Sequence, residues 1–248
     1  MPQVIYGRNA VYELLRTKPD TISKIYFPIN MANDKRLNEM LIIAKQNQVS
    51  IGKASNQKLG DFAKTDKHQG VVALTDETKI YDLDDILAEN PVQPRFFLIL
   101  DSIEDPQNLG AILRSAEAAG VDAVLIPKDF GAPINSTVHK TSAGATAYVR
   151  ICRVGNLSQT MIKLKKHQIW VVGTDLQATK SYTDFDYSMN IALVIGSEGK
   201  GMRHLVRETC DELVKIPIRG KIQSLNASVS AGIMLYEVVR QRILSKKL

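Results

Sequence analysis

The chain has 248 residues, a formal net charge of +6, 44% hydrophobic residues and 23% charged residues. These values are typical of a globular protein and argue against disorder, and no apolar run approaches the roughly 20 residues that span a bilayer. The first residues also lack the basic and apolar segments of a signal peptide, and two cysteines cannot form a disulfide framework. We therefore expect a cytoplasmic, non-membrane protein with reduced thiols.

The positive charge is unevenly distributed. Residues 1–95 contain 13 basic and 12 acidic side chains, whereas residues 96–248 contain 19 and 14. An excess of this size is compatible with a polyanionic partner such as RNA, and many soluble proteins carry as much without one.

The first 76 residues predict a small α/β unit. Residues 9–16 are typical of a helix and residues 23–27 of a strand, and apolar side chains at helical spacing predict a second helix over 34–48. Short apolar runs at 49–51 and 70–74 predict further strands.

An acidic segment with Pro91 and Pro94 follows, and proline neither continues a helix nor donates to a sheet. We therefore predict a domain over 1–76, a linker over 77–94 that includes a short helix near 84–89, and a second domain over 95–248.

The second domain alternates strands with helices. Buried strands are predicted over 96–100, 123–127, 170–174, 191–196 and 212–218, and helices over 109–119, 157–166 and 225–244. This alternation predicts a parallel sheet with helices on both faces. Ligand sites of such sheets lie beyond the carboxyl ends of the strands, where three polar motifs follow.

The first motif is LDSIEDPQNLGAILRSAEAAG, residues 100–120. Its strand is predicted to end at Asp101 and its helix to begin near Asn108. Arg114 lies six residues further on, so the two side chains cannot share one helix face. Spacing alone favours Asn108 as a helix cap and Arg114 as a solvated side chain.

The second motif is LVIGSEGKGM, residues 193–202, with glycines at 196, 199 and 201. Their spacing of one, four and six does not match the one, three, six pattern of dinucleotide-binding loops, and no Lys-Ser/Thr pair follows as in a P-loop. Glu198 would repel a phosphate. The loop therefore predicts a ligand that is poor in phosphate.

The third motif is IPIRGKIQSLNASVSAGIMLYEVVRQR, residues 216–242. Ser224 or Asn226 is a candidate N-cap of the long helix, a role compatible with ligand binding because helix N-termini present free N–H groups. We predict that this helix directs a set of apolar side chains inward: Val229, Ile233, Met234, Tyr236 and Val238.

Together the three motifs resemble, in order, those of the SpoU (TrmH-like) branch of the SPOUT methyltransferases. The N-terminal sequences VIYGRNAVYELL and HQGVVAL resemble the L30e-like substrate domain of the branch members that methylate a guanosine ribose of bacterial 23S rRNA. The resemblance covers nearly the whole chain. It implies an α/β fold with a trefoil knot in the C-terminal SPOUT domain, homodimers, and S-adenosyl-L-methionine as cofactor.

The resemblance also implies the residue roles. The cofactor would be held at Thr174, Gly196, Ile216 and Leu225, and Arg114 would be the catalytic arginine, often acting near the partner's cofactor. Asn108, Glu198, Ser224 and Asn226 would complete the catalytic set by positioning the ribose and the loops. Because arginine stays protonated, we expect Arg114 to stabilise the developing alkoxide; no metal is required.

The N-terminal domain would select the RNA, with Tyr6, Arg8, Asn9, His68 and Gln69 as candidate contacts. For His68, a hydrogen-bonding role within its loop is equally plausible.

The expected function is 2′-O-methylation of a guanosine in 23S rRNA or a ribosomal precursor, as part of rRNA processing. One alternative is a tRNA ribose methyltransferase, and another is a catalytically silent RNA-binding assembly factor. A nicotinamide-dependent dehydrogenase is disfavoured by the glycine spacing.

Overall fold

A computed structural model of the chain describes residues 3–31, 34–76 and 78–245. The chain divides into two compact units. The first unit comprises Met1–Lys79 and Ile134–Tyr148, and the second comprises Ile80–Pro133 and Val149–Leu248. The limits 1–76, 77–94 and 95–248 remain a prediction about domain organisation, and Glu77, the first predicted linker residue, lies outside the described residues.

The strands are β1 Gln3–Tyr6, β2 Ile22–Pro28, β3 Ile51–Ala54, β4 Val72–Thr75, β5 Phe96–Leu100, β6 Ala123–Pro127, β7 Ile151–Val154, β8 Trp170–Thr174, β9 Lys180–Ser181, β10 Ile191–Ile195 and β11 Glu212–Lys215. The helices are α1 Arg8–Thr17, α2 Lys35–Gln46, α3 Asn56–Ala63, α4 Leu83–Ala88, α5 Pro106–Ala118, α6 Ser136–Thr141, α7 Leu157–Lys166, α8 His204–Thr209 and α9 Ala227–Ser245. None of the helices in the described ranges is long and apolar enough to cross a membrane.

The first unit is built on a mixed sheet in the order β1-β4-β2-β3. The predicted helices at 9–16 and 34–48 and the strand at 23–27 are confirmed as α1, α2 and β2. The side chain of Asp34 starts α2 by accepting hydrogen bonds from the N–H groups of Arg36 and Leu37. Val11, Leu15 and other apolar side chains pack beneath the helices in the core of this unit.

Three elements of the first unit escaped prediction: helix α3, helix α6 and strand β1. Helix α3 has only Leu59 and Ala63 buried, so its apolar periodicity is too weak to recognise. One predicted boundary is also wrong. The strand expected over 49–51 begins only at Ile51, because Gln48 has a positive φ of 56° and the chain is still turning there.

The second unit contains a parallel sheet in the order β7-β6-β5-β10-β8-β11-β9. This confirms the predicted parallel sheet, and β5, β6 and β10 are buried along their whole length as the apolar runs indicated. The helix within the predicted linker is α4, whose Leu83 and Ile86 are buried in the core of this unit. The trefoil knot and the L30e-like nature of the first unit stay predictions.

Several predicted boundaries in the second unit are wrong. Helix α5 begins at Pro106, and Asp105 rather than Asn108 caps it by accepting a hydrogen bond from the Gln107 N–H. Strand β11 ends at Lys215, three residues before the predicted end, and α9 begins at Ala227 rather than at Leu225.

The inward face of α9 was also predicted incorrectly. Met234 and Val238 are fully buried as expected, but Val229 and Tyr236 are 49% and 53% exposed. The buried face instead uses Ala227, Ala231 and Leu235, whose spacing of four places them on the same side of the helix as Met234 and Val238. Apolar residue type did not reveal which of two apolar faces is buried.

Candidate functional site

The polar loops meet beyond the carboxyl ends of β8, β10 and β11. They enclose a cavity, here called the strand-end cavity, that is lined by all four predicted cofactor residues, Thr174, Gly196, Ile216 and Leu225. Glu198 and Ser224 line the same cavity. The other lining residues are Asp175, Leu176, Ile195, Ser197, Gly199, Gly201, Ile218, Ala227 and Ser230.

The strand-end cavity has the mixed polar and apolar lining of a small-molecule site. Its volume is about 110 Å³, below the roughly 300–1,000 Å³ of pockets that enclose a drug-sized ligand. Leu176, Ile195 and Ile218 add apolar surface to it. Within the described part of the chain, the backbone groups of Ile216, Ile218 and Leu225 make no hydrogen bonds to other backbone groups. They can therefore serve a ligand.

A tight loop, residues 196–201, forms one wall of the cavity. The N–H of Ser197 donates to the carbonyl of Gly201 over 3.0 Å, and the N–H of Gly201 donates back to the carbonyl of Ser197 over 2.9 Å. A Cβ at Gly196 would lie 2.3 Å from the carbonyl carbon of Gly201, so only glycine fits there. Gly199 and Gly201 have φ values of 83° and 67°, which favour glycine as well.

A buried carboxylate fixes the far side of this loop. Asp101, at the end of β5, is fully buried and accepts hydrogen bonds of 2.7 Å from both the backbone N–H and the Nε of Arg203. Separating Arg203 from Asp101 would leave an unpaired buried charge, which costs free energy. The pair therefore holds the loop after β10 against the end of β5. Asp101 lies at the predicted end of its strand, but no feature of the sequence pointed to this role.

One side chain connects the three motifs. Nδ2 of Asn226 donates to Oδ1 of Asn108 over 3.0 Å and to Oε2 of Glu198 over 3.1 Å. Its Oδ1 accepts from the N–H groups of Ser228 and Val229, so Asn226 is also the N-cap of α9. Two alternatives left open by the sequence are thereby decided: Asn226 caps α9, and Asn108 is part of a polar cluster inside the first turn of α5.

A second cavity, here called the side cavity, shares Ser197, Glu198, Gly201 and Ala227 with the strand-end cavity. It is larger, about 540 Å³, and its remaining lining includes Asn108. The full set of its other residues is Ser102, Ile103, Glu104, Asp105, Phe130, Lys200, Met202 and Arg203. Two ligands could therefore approach each other across the wall formed by Glu198 and its neighbours.

Arg114 lies apart from both cavities. Its side chain is exposed on α5, and it lines neither cavity. Among the residues that the structure describes, it makes no hydrogen bond or ion pair. The structure of one chain thus unites the other four predicted catalytic residues but not Arg114.

The two thiols offer no nucleophile. Burial raises the pKa of Cys152 to about 11 and that of Cys210 to about 12, so both remain protonated near neutral pH. Both cysteines are free, as expected, and both belong to or pack against the core of the second unit.

The candidate RNA contacts of the first unit are only partly assembled. Arg8, His68 and Gln69 line a groove of about 550 Å³. The Arg8 side chain donates to the Gln69 carbonyl over 3.1 Å and pairs with Asp34. His68 is buried and its Nδ1 accepts a hydrogen bond from the Gly70 N–H, which is the loop role considered above.

The remaining two candidates lie outside that groove. Tyr6 is 7% exposed and lies beneath the Lys140 amino group, 5.2 Å from its ring centroid, which leaves little ring surface for RNA. Asn9 is exposed on the first turn of α1. RNA contact by these five residues remains a prediction.

Comparison with known proteins identifies the family. The profile of the SpoU rRNA Methylase family matches residues 95–236. The chain belongs to this family. A second profile, described as RNA 2′-O ribose methyltransferase substrate binding, matches residues 4–81. Both matches agree with the resemblance found in the sequence motifs.

Relatives from two bacteria match nearly the full length of the chain. The Escherichia coli K12 protein named 23S rRNA (guanosine-2′-O-)-methyltransferase RlmB is 42% identical over 245 residues, covering 98% of this chain and 100% of its own. The Bacillus subtilis protein YacO, whose name places it among TrmH family tRNA/rRNA methyltransferases, is 42% identical over 240 residues, covering 96% and 95%.

A solved structure gives the same result. The SpoU methyltransferase AviRb from Streptomyces viridochromogenes, in complex with the cofactor AdoMet, superposes with a TM-score of 0.82 at 27% sequence identity. The superposition covers 98% of this chain and 91% of AviRb. The observed fold is therefore that of a SpoU methyltransferase, as the motifs predicted.

Proposed function

We propose that this chain methylates the 2′-hydroxyl of a ribose in RNA with S-adenosyl-L-methionine as methyl donor, and that its substrate is a guanosine of 23S rRNA. The observation that carries the proposal is the cluster of Asn226, Asn108 and Glu198, which lies where the strand-end cavity and the side cavity share a wall. A methyl donor in one cavity and a ribose in the other would meet there.

The strand-end cavity suits the proposed cofactor. Adenine needs apolar walls and backbone partners, which Leu176, Ile216 and Leu225 can supply. The site offers no phosphate-binding glycine pattern, and the Glu198 carboxylate lies at its wall. When bound, S-adenosyl-L-methionine supplies a methyl group already activated by its sulfonium.

The chain's residues then have to orient the ribose and assist loss of its hydroxyl proton. We assign orientation to Asn108, Glu198, Ser224 and Asn226, three of which are joined by hydrogen bonds. Arg114 would stabilise the negative charge that develops on the 2′-oxygen, and the proton would leave to water or a neighbouring phosphate. A donor of this kind typically contributes roughly 10²–10³ in rate.

The position of Arg114 supports a dimeric enzyme. Because Arg114 lines neither cavity of its own chain, it would serve the site of a second copy. Val229, Tyr236 and Ile243 recur every seven residues along one face of α9 and are 49%, 53% and 52% exposed. A second copy of the chain would cover this apolar face.

The first unit would select the RNA, as the substrate-binding profile over residues 4–81 suggests. Arg8, Asn9, His68, Gln69 and Tyr6 are the candidate contacts. The groove formed by Arg8, His68 and Gln69 is the first place to test.

The test is transfer of labelled methyl from S-adenosyl-L-methionine to total RNA from cells that lack the modification, mapped by resistance to alkaline cleavage. Label at one ribose of 23S rRNA supports the proposal. Label in tRNA would support ribose methylation but make tRNA the substrate, which agrees with the tRNA/rRNA methyltransferase name of the Bacillus subtilis relative. Absence of label favours a silent RNA-binding factor. As a binding control, S-adenosyl-L-methionine and not NADH should raise the melting temperature.

A further inference from the structure

An aromatic side chain in the side cavity is held in an unusual way. Phe130 follows β6, is 65% exposed and has a φ of 63°. A positive φ is strained for a bulky residue, and an exposed phenyl ring gains little from burial. Neither folding nor packing therefore explains why phenylalanine occupies this position.

The loop that carries Phe130 is firmly braced. The N–H of Ala132 donates to the carbonyl of Ile103 over 2.8 Å, and the N–H of Lys128 donates to the carbonyl of Val154 over 2.9 Å. A Cβ on Gly131 would lie 2.9 Å from the Ile126 side chain, so the loop packs closely on β6. The bracing holds the ring in the solvent-facing side cavity.

One side of the ring is supported by a fixed cation. The Arg203 guanidinium lies 5.7 Å from the ring centroid, and its Nε is hydrogen-bonded to the buried Asp101 carboxylate over 2.7 Å. Asp101 thus fixes the Arg203 guanidinium, which in turn lies over the Phe130 ring. The exposed part of the ring remains available in the cavity that also contains Asn108 and Glu198.

We propose that Phe130 is a stacking platform for a nucleobase of the RNA, either the target base or its neighbour. Unpaired bases bind proteins largely by stacking on aromatic rings and arginine planes, and every base presents such a face. Lys200 adds positive charge to the same cavity for the RNA backbone. This inference rests on the proposed function, because the base would accompany a ribose placed at Asn108 and Glu198.

The first test compares methyl transfer by F130A, F130G and F130W with that of the unaltered protein. F130A and F130G should lower kcat/KM for RNA on the order of tenfold, which is the typical effect of losing one base–aromatic stack. F130W should keep the kcat/KM of the unaltered protein, because tryptophan also stacks on a base. The dissociation constant of S-adenosyl-L-methionine should not change. Normal kcat/KM in F130A, or an equal loss of cofactor binding, would overturn the proposal.

A matched control separates stacking from folding. Gln168 is an exposed residue with a φ of 59° in a turn of the same unit, outside both cavities. F130G and Q168G both relieve backbone strain, so both should melt no lower than the unaltered protein. Only F130G should lose RNA turnover, and an equal loss in Q168G would count against the platform.

A binding test does not depend on turnover. Trp170 is the single tryptophan, so the double variant W170F/F130W reports from position 130 alone. Millimolar guanosine 5′-monophosphate should quench the fluorescence of this double variant. Fluorescence that the nucleotide leaves unchanged would refute stacking. If the unaltered protein transfers no methyl group, the proposed function fails, and this titration still decides the platform.

Discussion

Nδ2 of Asn226 donates a hydrogen bond of 3.0 Å to Oδ1 of Asn108, which lies 118 residues earlier in the chain. The same amide reaches Glu198, so a single side chain joins the starts of α5 and α9 with the loop after β10. Its own orientation is fixed because its oxygen caps α9. A helix cap is thereby combined with the organisation of the proposed active site.

Asn226→Asp should separate these two roles. The new carboxylate can still accept from the N–H groups of Ser228 and Val229, so stability should change little. It cannot donate to Glu198 and would repel that carboxylate, so kcat/KM for methyl transfer should fall on the order of 10²-fold.

The control is Asn156→Asp at the N-cap of α7, where the side chain accepts a hydrogen bond of 3.1 Å from the Gln159 N–H. This variant should keep both its melting temperature and its activity. Equal activities of the two variants would show that Asn226 is only a cap.

Arg114→Ala and Arg114→Lys should both lower the rate of methyl transfer by roughly 10²–10³-fold and leave cofactor affinity unchanged, because neither alanine nor the point charge of lysine replaces a planar guanidinium. The side chain is exposed and unpaired within the described ranges, so the free energy of unfolding should change by less than about 0.5 kcal/mol. Calorimetry measures the cofactor affinity and the stability, and transfer of labelled methyl measures the activity. Near-normal turnover by either variant would remove Arg114 from the mechanism.

Mixing subunits tests whether Arg114 acts in the partner's site. Strongly impaired Arg114→Ala and Asn226→Asp chains, refolded together, should form heterodimers with one complete site and recover part of the activity. If the mixture stays inactive although heterodimers form, Arg114 acts within its own chain.

Gly196→Ala should distort the loop that forms the cavity wall. The added Cβ would lie 2.4 Å from the backbone nitrogen of Met202, and overpacking of this kind costs about 1–3 kcal/mol. Cofactor binding, measured by calorimetry, should be lost. Gly155→Ala is the matched control, since no atom lies within 4 Å of its Cβ, and it should bind normally.

Tyr236→Glu should produce monomers if the exposed apolar face of α9 contacts a second copy. Tyr236 is 53% exposed in the isolated chain, so the charge should not unfold it. Ile162→Glu on α7 is the control, because Ile162 is 48% exposed on a different helix. Sedimentation velocity distinguishes the cases, and a dimeric Tyr236→Glu protein would place the interface elsewhere.

The first unit should lose stability in mild acid through His139. Burial lowers the pKa of His139 to about 4 from the ordinary 6.5, and its ring nitrogens contact Thr146 and Thr78. The unfolded chain therefore binds the proton first, and stability falls as the pH drops from about 6.5 to 4. Between pH 7 and pH 5 the loss should be about 2 kcal/mol.

Urea unfolding at the two pH values measures this loss, with His139→Gln as the reference. The glutamine variant lacks the titrating ring, so its loss over the same interval should be smaller by that amount. Identical losses in both proteins would assign the acid sensitivity to other groups.

The strongly buried elements were the easiest to predict. Strands β5, β6 and β10 are apolar at every position, because a central parallel strand is covered on both faces. The family resemblance implied four residues that line one cavity, and they meet there because the carboxyl ends of parallel strands lie at one edge of the sheet. Thr174, Gly196 and Ile216 are examples, although up to 42 residues separate them along the chain.

Local polar sequences gave weaker predictions. Asn108 was expected to cap α5, but Asp105 competes for the same position and is followed by Pro106, which favours the first turn of a helix. Val229 and Tyr236 were assigned to the core because residue type alone does not distinguish a face that packs on its own sheet from one that faces outward.

The sequence alone is enough to predict the parallel α/β architecture of the second unit and the family, because hydrophobic periodicity and motif order are properties of the linear chain. The family resemblance in turn implies four residues that line the strand-end cavity. The contacts of the folded chain were needed to show that Asn226 bridges Asn108 and Glu198, that Arg114 lies outside both cavities, and that Phe130 is held exposed beside Arg203. Those relationships depend on contacts between side chains that are distant in the chain, and their distances follow from packing rather than from spacing in the sequence.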